Sequence, residues 1–474
     1  MAAKAPLWGS CRLVLACCAF VSLLNCFVQR FNLSFAVVCM LRPAANNTDT
    51  DQTGDLAWDR PLTELLLSAF FYGYLLAQLA GGRVSDALGG RRPFVLGNAA
   101  QSLLAALLPA AAAWGAAAVF AVRLLQGVAC GFFLPAMFSL FRVWMLPEER
   151  TSLLAFAYVG VPLSFILTYP LSGILCHFMS WPFIFYVTGL FGVVCSLLTY
   201  FLVFDSPESH PRISQEELAA LREAVPPQLT KQKKVPLRAM LLSGPVNANH
   251  VANFCYNWGF NTVATNLPIF LNEVLEFDVR QNGLFSALPY AGLMVMRLIV
   301  ATSFARCVRA TGLGLTVVRK LNHTIGAVGA GACMLGLVAL PSAYKVTAVL
   351  LVAASQTAAE LSYTAGFLGS LLDLAPAHAG LLSGWTNAVG AATGLLAPGV
   401  VGALTRQGLR DEWNTVLYIT AGFYLLGALV YLVFGSSELQ PWAAPGAANS
   451  EPEAEPLLTA DTTKAVPPQS SQSS

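Results

Sequence analysis

Apolar residues run through this chain in long stretches broken by short polar turns. A helix rises about 1.5 Å per residue, so roughly twenty apolar residues cross the ~30 Å hydrocarbon core of a bilayer. By that measure membrane spans are predicted at 12–40, 63–82, 93–113, 116–141, 152–175 and 181–203, and again at 246–271, 281–304, 320–341, 346–371, 380–404 and 414–435. The expected fold is an all-α membrane protein of twelve helices in two sets of six. Its expected organisation is a short amino terminus at 1–11, a six-helix bundle at 12–204, a central loop at 205–245, a second bundle at 246–436 and a tail at 437–474. Ser214-Gln-Glu-Glu217 has the spacing of a capping box and predicts a short surface helix inside the central loop.

Composition agrees with the pattern. Hydrophobic residues make up 56% of the 474 positions and charged residues 11%, and the mean hydropathy is +0.62, which leaves too little polar surface to cover a soluble protein of this size. The first apolar run is too long for a signal-peptide core and is read as a retained span. Eleven cysteines, among them Cys17, Cys18, Cys26, Cys39, Cys130, Cys195 and Cys255, show no zinc spacing or disulfide framework and are expected to be small packing residues.

Net charge of +2 says little; the position of each charge says more. Arg83, Arg91, Arg92, Arg142, Arg150, Lys231, Lys233, Lys234, Arg238, Arg306, Arg309, Arg319 and Lys320 fall on one side of the alternating spans. Only Arg42, Arg60, Arg280, Lys345, Arg406 and Arg410 fall on the other. The basic bias places both termini in the cytoplasm. That orientation puts the sequon at Asn46 in the first outer loop, as a candidate glycosylation site. The tail after Trp442 is rich in Ala, Pro, Glu and Ser and is expected to be disordered. Within it, Glu453, Leu457 and Leu458 have the arrangement of an acidic dileucine sorting signal, which would be read by sorting adaptors.

Few ionisable residues fall inside the spans. An arginine in mid-helix costs roughly 2.5–3.5 kcal/mol even on the lenient insertion scale, so each needs a reason. Arg30 and Arg123 lie at similar depth, in the outer half of the bilayer, and Glu64 near the outer end of its span is the acid closest to that depth in the first six spans. Two arginines brought together repel unless an anion sits between them, and the guanidinium fork suits carboxylate or phosphate. The bland alternative is that either one braces neighbouring helices through backbone carbonyls. Arg297 and Glu360 are the other two charges, with pairing and proton coupling both open for the glutamate. Arg123-x3-Gly127-x3-Gly131 places small residues on one helix face for close packing. The five histidines, His177, His210, His250, His323 and His378, are expected at span ends or in loops, and no nucleophile–base pair or metal cluster marks an enzyme.

Gly82-Arg-Val-Ser-Asp86-Ala-Leu-Gly89-Gly-Arg91-Arg92 joins the second and third spans. It resembles the signature loop of the major facilitator superfamily, with Ala87 where a basic residue is usual. With Arg30-Phe-Asn-Leu-Ser34, Phe70-Phe-Tyr-Gly73, Leu146-Pro-Glu-Glu-Arg150, Ser206-Pro-Glu-Ser, Gly283-Leu-Phe-Ser-Ala-Leu-Pro289 and Gln440-Pro-Trp442, the chain resembles the superfamily's anion, phosphate, sialin and vesicular glutamate transporter family, the run around Phe204-Asp-Ser-Pro looking closest to its sodium-phosphate and urate branch. The resemblance implies that Arg30 and Arg123 meet in a central path, that Tyr256, Asn257 and Trp258 contact the cavity, and that Gly82, Asp86, Gly89, Arg91 and Arg92 form an inner gate. It also shows departures. Glutamate and sialate carriers have a glutamate at Cys130, and glutamate carriers a histidine at Leu67 and an arginine at Tyr256. The segment 301–312 lacks an acid, so the second half has no copy of the signature aspartate, and asymmetric bracing is expected.

The implied function is transport of small organic anions (urate, phosphate or carboxylates) by alternating access, driven by membrane potential or an ion gradient. The alternatives are a transporter-like protein that senses or scaffolds, and a proton-coupled lysosomal or vesicular carrier of acidic solutes. No cofactor is expected beyond coupling to sodium, protons or chloride. The expected partners are a small anionic solute and the lipid bilayer, without nucleic acid, and the compartment is lysosomal, endosomal or the plasma membrane.

Overall fold

The computed structural model describes residues 6–41, 55–224, 237–341, 343–375 and 379–443. Asn46, Glu453, Leu457, Leu458 and His378 lie outside them. Six long helices or helix pairs precede the central segment: α1 (Cys11–Met40), α2 (Arg60–Leu88), α3 (Arg91–Trp114), α4 (Ala116–Trp144), α5 with α6 (Pro147–Tyr158, Gly160–Phe178) and α7 (Pro182–Leu202). Two short helices, α8 (Gln215–Ala224) and α9 (Leu237–Leu242), lie within it. Beyond it come α10 (Gly244–Glu273), α11 (Val279–Thr311), α12 (Leu315–Ala339), α13 with α14 (Lys345–Leu361, Leu368–Leu374), α15 (Ala379–Leu404) and α16 (Arg410–Phe434). We call the face that carries Cys11 and Arg91 proximal, and the face that carries Met40, Arg60 and Glu273 distal.

Local chemistry explains the helix starts. Ser10, Asp59 and Asp278 each accept a backbone N–H from the first turn they precede, satisfying a donor that has no partner inside the helix. Leucines and phenylalanines such as Leu190, Leu198, Phe201, Leu429 and Phe434 stay exposed around the outside, as lipid contact requires. Among the described residues, ten helices are long and apolar enough to cross a membrane by length and composition alone. The two long ones that miss this mark are α2 and α10. The asparagines that dilute α10, Asn253, Asn257 and Asn261 among them, line the interior between the halves, where polar atoms meet other polar atoms instead of lipid.

Several expectations change. The helix predicted at 63–82 runs to Leu88, so most of the signature stretch is helical and only Gly89 and Gly90 turn the chain. Gly89 has φ +80°, and a Cβ there would lie 2.5 Å from Asp205 Oδ1; the position excludes any side chain. Gly127 does the same at a helix crossing, since its Cβ would lie 1.9 Å from the Phe70 carbonyl oxygen, so α4 rides directly on the α2 backbone. The fifth span breaks at Val159 between α5 and α6, and the tenth contains a π-helical turn at Ser362–Phe367 in which Gly366 leaves helical geometry.

His323, expected near solvent at a span end, is instead buried. Its Nδ1 lies 2.7 Å from Ser362 Oγ and its Nε2 3.2 Å from the Gly427 carbonyl, which props that π turn. Cys39, expected as a packing residue, forms a disulfide with Cys176, 137 positions away, joining the distal ends of α1 and α6. Helix α8 starts as expected, with Ser214 Oγ accepting the Glu217 N–H. It is not a free surface helix, however, because Glu217 is buried and accepts the N–H groups of Cys11 and Arg12 and Nε of Arg12. A carboxylate from the first turn of α8 thus caps the positive end of α1.

Candidate functional site

A cavity of about 120 Å³ lies between the halves, lined by α1, α2, α4, α5, α6, α10, α11, α15 and the π turn. From the amino-terminal half it receives Arg30, Phe27, Tyr74, Tyr158 and Phe165, and from the other half Asn253, Tyr256, Asn257, Tyr290, Arg297, Tyr363 and Asn387. On its distal side the Phe165 and Tyr290 rings, one from each half, stack with centroids 3.9 Å apart and planes 5° apart.

Arg30 is half-buried in an aromatic box. Its guanidinium carbon lies 4.4 Å from the Phe71 ring centroid and between 5.2 and 5.4 Å from Phe27, Phe31, Phe70 and Tyr74. These rings suit a cation by their negative faces but leave its N–H groups unanswered, and Nε has no hydrogen-bond partner. Among the described residues no carboxylate pairs with Arg30.

Arg123 is placed differently from the expectation. It does not line the cavity. It is 1% exposed, and it donates to the carbonyls of Gln29 and Arg30 at 3.1 and 2.8 Å and to Gln126 Oε1 at 3.1 Å. The two guanidiniums do not meet across a path; one stands behind the other and holds the turn of α1 that presents it. The reason is a network of buried amides, because Asn25, Gln29, Asn32, Asn98, Gln101 and Gln126 fill the space between α1, α3 and α4 with hydrogen-bond partners, and Arg123 joins it. Nothing in the spacing of single amides along the chain pointed to that network.

Arg297 and Glu360 do meet. Nε and Nη2 of the arginine donate to the two carboxylate oxygens at 2.7 and 3.1 Å, and the Tyr256 hydroxyl donates to Glu360 at 3.2 Å. Tyr256 stacks on Tyr363 with centroids 4.6 Å apart. Asn257 lines the cavity while its amide nitrogen donates to Asn253. Trp258, expected at the cavity, packs on Phe423 instead and does not line it. With Arg297 neutralised by Glu360, the net positive charge of the cavity comes from Arg30.

The distal side is sealed between the halves. Arg60 of α2 pairs with Glu64 one turn on and reaches Glu273 of α10 at 2.9 Å, and Trp413 donates to the same Glu273 at 3.2 Å. With its amide nitrogen turned to the carboxylate, Asn266 donates to both oxygens of Glu64, at 2.6 and 3.1 Å. The Tyr169 hydroxyl donates to the Ala264 carbonyl at 2.7 Å. Glu64 thus serves this seal and does not pair with the cavity arginine.

On the proximal side the signature residues act within one half. The Arg91 N–H donates to Asp205 Oδ1 at 2.8 Å, and its guanidinium donates to the Tyr200 carbonyl and stacks on Tyr200 and Phe204. Arg92 is exposed. Gly82 and Asp86 fall within α2, with side chains outside the described set. In the other half Arg319, at the start of α12, pairs with Asp373 of α14 at 2.8 Å and stacks on Phe304. The two halves differ here: Asp373 pairs with the Arg319 guanidinium, whereas Asp205 accepts the backbone N–H of Arg91 and so caps the start of α3.

Residues 15–398 match the sequence profile of the Major Facilitator Superfamily. The chain belongs to that superfamily. Within it the chain belongs with the sialin, vesicular glutamate and phosphate transporters: it is 32% identical to sialin of Homo sapiens over 460 residues, covering 93% of this chain and 92% of sialin. It is 33% identical over 437 residues to vesicular glutamate transporter 1 of Bos taurus, covering 88% of this chain and 76% of that one, and 30% identical over 483 residues to a putative inorganic phosphate cotransporter of Drosophila melanogaster, covering 93% and 88%. The superfamily fold is visible in the crystal structure of a D-xylose–proton symporter, which matches with a TM-score of 0.69 over 90% of this chain and 97% of that one at 13% identity. A partially occluded inward-open form of the xylose transporter XylE from E. coli matches with 0.65 over 90% and 99% at 14% identity. Like other members of the superfamily, this chain is a multi-pass integral membrane protein.

Proposed function

We propose that this protein is a secondary transporter of small organic anions, with urate, phosphate and carboxylates as the class, working by alternating access around the cavity between its halves. The observation that carries the reading is Arg30: a cation at the cavity wall, boxed by aromatic rings and matched by no carboxylate among the described residues. An anion supplies the missing acceptor, and the surrounding rings supply faces for a flat solute. The similarity to sialin, vesicular glutamate transporters and phosphate cotransporters supports the same class.

The distal seal and the cavity lining describe one state of a rocking cycle. In this reading the proximal face is cytoplasmic, as the basic residues favour, and transport draws on the membrane potential or on sodium, proton or chloride coupling. One net charge moved is worth about 2.3 kcal/mol per 100 mV, or about fifty-fold accumulation, so voltage alone suffices. A lysosomal or vesicular address would be set by adaptors at Glu453, Leu457 and Leu458, and a vesicular one accords with the likeness to vesicular glutamate transporter 1.

The test is voltage-driven uptake of urate, phosphate and benzoate by the purified protein in liposomes. At least one is expected to accumulate, and Arg30→Ala is expected to lower its uptake by tenfold or more. No movement of any of them under an imposed potential would instead favour a sensing or scaffolding role.

A further inference from the structure

Residue 162 is proline, and proline has no N–H to give the carbonyl four residues back. That carbonyl belongs to Tyr158, the last residue of α5, and the helix breaks at the next position. The freed oxygen accepts from Arg297 Nη1 at 3.3 Å. Tyr158 belongs to the amino-terminal half and Arg297 to the other, so the bond ties the halves together. The other ties described above, Arg60–Glu273, Asn266–Glu64 and Tyr169–Ala264, all lie distal to the Phe165–Tyr290 stack.

Arg297 uses two arms of its guanidinium on Glu360. Nη1 is the arm left over, and a neutral carbonyl is the weaker kind of partner for it, since an anionic acceptor adds charge attraction and can take two N–H groups of the guanidinium at once. Arg30, Tyr158, Pro162 and Arg297 all line the same cavity, so an anion admitted beside Arg30 shares a chamber with that third arm.

We propose that Arg297 exchanges acceptors during the cycle, holding the Tyr158 carbonyl when the cavity is empty and the cargo anion when it is filled, so that occupancy itself unties the two halves. Pro162 and Tyr158 are then positioning residues for the transport step. The cargo half of the proposal rests on the anion reading above; the tie does not.

The test reads the tie directly, by pulsed EPR distances between nitroxides at Glu216 of α8 and Ala310 of α11, one on each half, in a background lacking the exposed Cys17 and Cys307. Pro162→Ala restores the helical donor and draws the carbonyl back into the helix. Arg297→Lys keeps the charge opposite Glu360 but removes the third arm. Without cargo, each is expected to move the distance distribution toward a second population by about tenfold in the equilibrium, the scale of one charge-assisted hydrogen bond. The double variant is expected to move it no further than the larger single, because both remove one contact. Unchanged distributions, or shifts that add, overturn the tie.

Inorganic phosphate, urate or benzoate is then expected to move the parent protein toward the same second population and to have no further effect on Arg297→Lys. If an anion moves Arg297→Lys as far as the parent, the exchange of acceptors is wrong although the anion reading stands. If no anion moves the parent while the two variants do, the anion reading fails, the cargo half fails with it, and the tie alone remains.

Discussion

At the scale of single residues, Arg30 and Arg123 divide work that their sequence positions could not separate. Arg30 spends no hydrogen bond on the protein from Nε, whereas Arg123 holds two carbonyls and an amide. Arg30→Ala should therefore remove uptake while the melting temperature changes little, the loss being mainly a cation–π contribution of about 0.5–2 kcal/mol. Arg123→Ala should lower both, because it removes the tie between α4 and α1 and leaves the buried Gln126 Oε1 without its donor, at about 1–3 kcal/mol. Thermal melts in detergent, read beside uptake, separate the two. Equal melting losses would mean that Arg30 is also a structural brace. That each arginine needs a partner was legible in the chain, since an intramembrane arginine is costly to bury alone; which one faces the cavity depended on where the buried amides of α1, α3 and α4 came together.

At the scale of elements, spacing carried far. The Gly127 and Gly131 face does pack on α2, and Gly127→Ala would place a methyl group against the Phe70 carbonyl. Loss of the folded, monodisperse protein is expected, whereas Gly399→Ala, which meets nothing within 4 Å, should express and melt like the parent. Size-exclusion profiles of the two decide it. Comparable profiles would show that α4 can shift on α2 without cost. Other elements were illegible for a definite reason. The partner of Glu217 is Arg12, 205 positions away, and Cys39 pairs with Cys176; such contacts are set by which helix ends share a face. The disulfide joins helices of one half, so it stiffens that half without opposing its movement against the other.

At the scale of the whole molecule, the two halves are fastened on the distal side by a small charge network in which Glu64 is buried and Glu273 exposed. Arg60, Glu64 and Glu273 leave one arginine shared between two carboxylates, with Trp413 and Asn266 completing the acceptors' bonds. Glu273 is exposed, so removing its charge costs at most about 1 kcal/mol, the scale of a surface pair, and that cost falls on the closed state alone. Glu273→Gln should therefore populate the distally open form. An impermeant maleimide supplied to the distal side should alkylate a cysteine at Leu293, on the cavity wall, about three- to fivefold faster in that variant. An unchanged rate would mean that the aromatic stack and helix packing close the seal without the charges.

The chain by itself determined the class of the molecule. Apolar runs of bilayer length, basic residues gathered on alternate turns, and charges too costly to bury idly dictate a helical membrane protein with a polar interior, because desolvation energy depends on composition and spacing alone. Tertiary structure decided what each charge is for. Hydrogen bonds and ion pairs act over about 3 Å, so whether an arginine meets a carbonyl, a carboxylate or open space is fixed only when helices far apart in sequence are brought side by side.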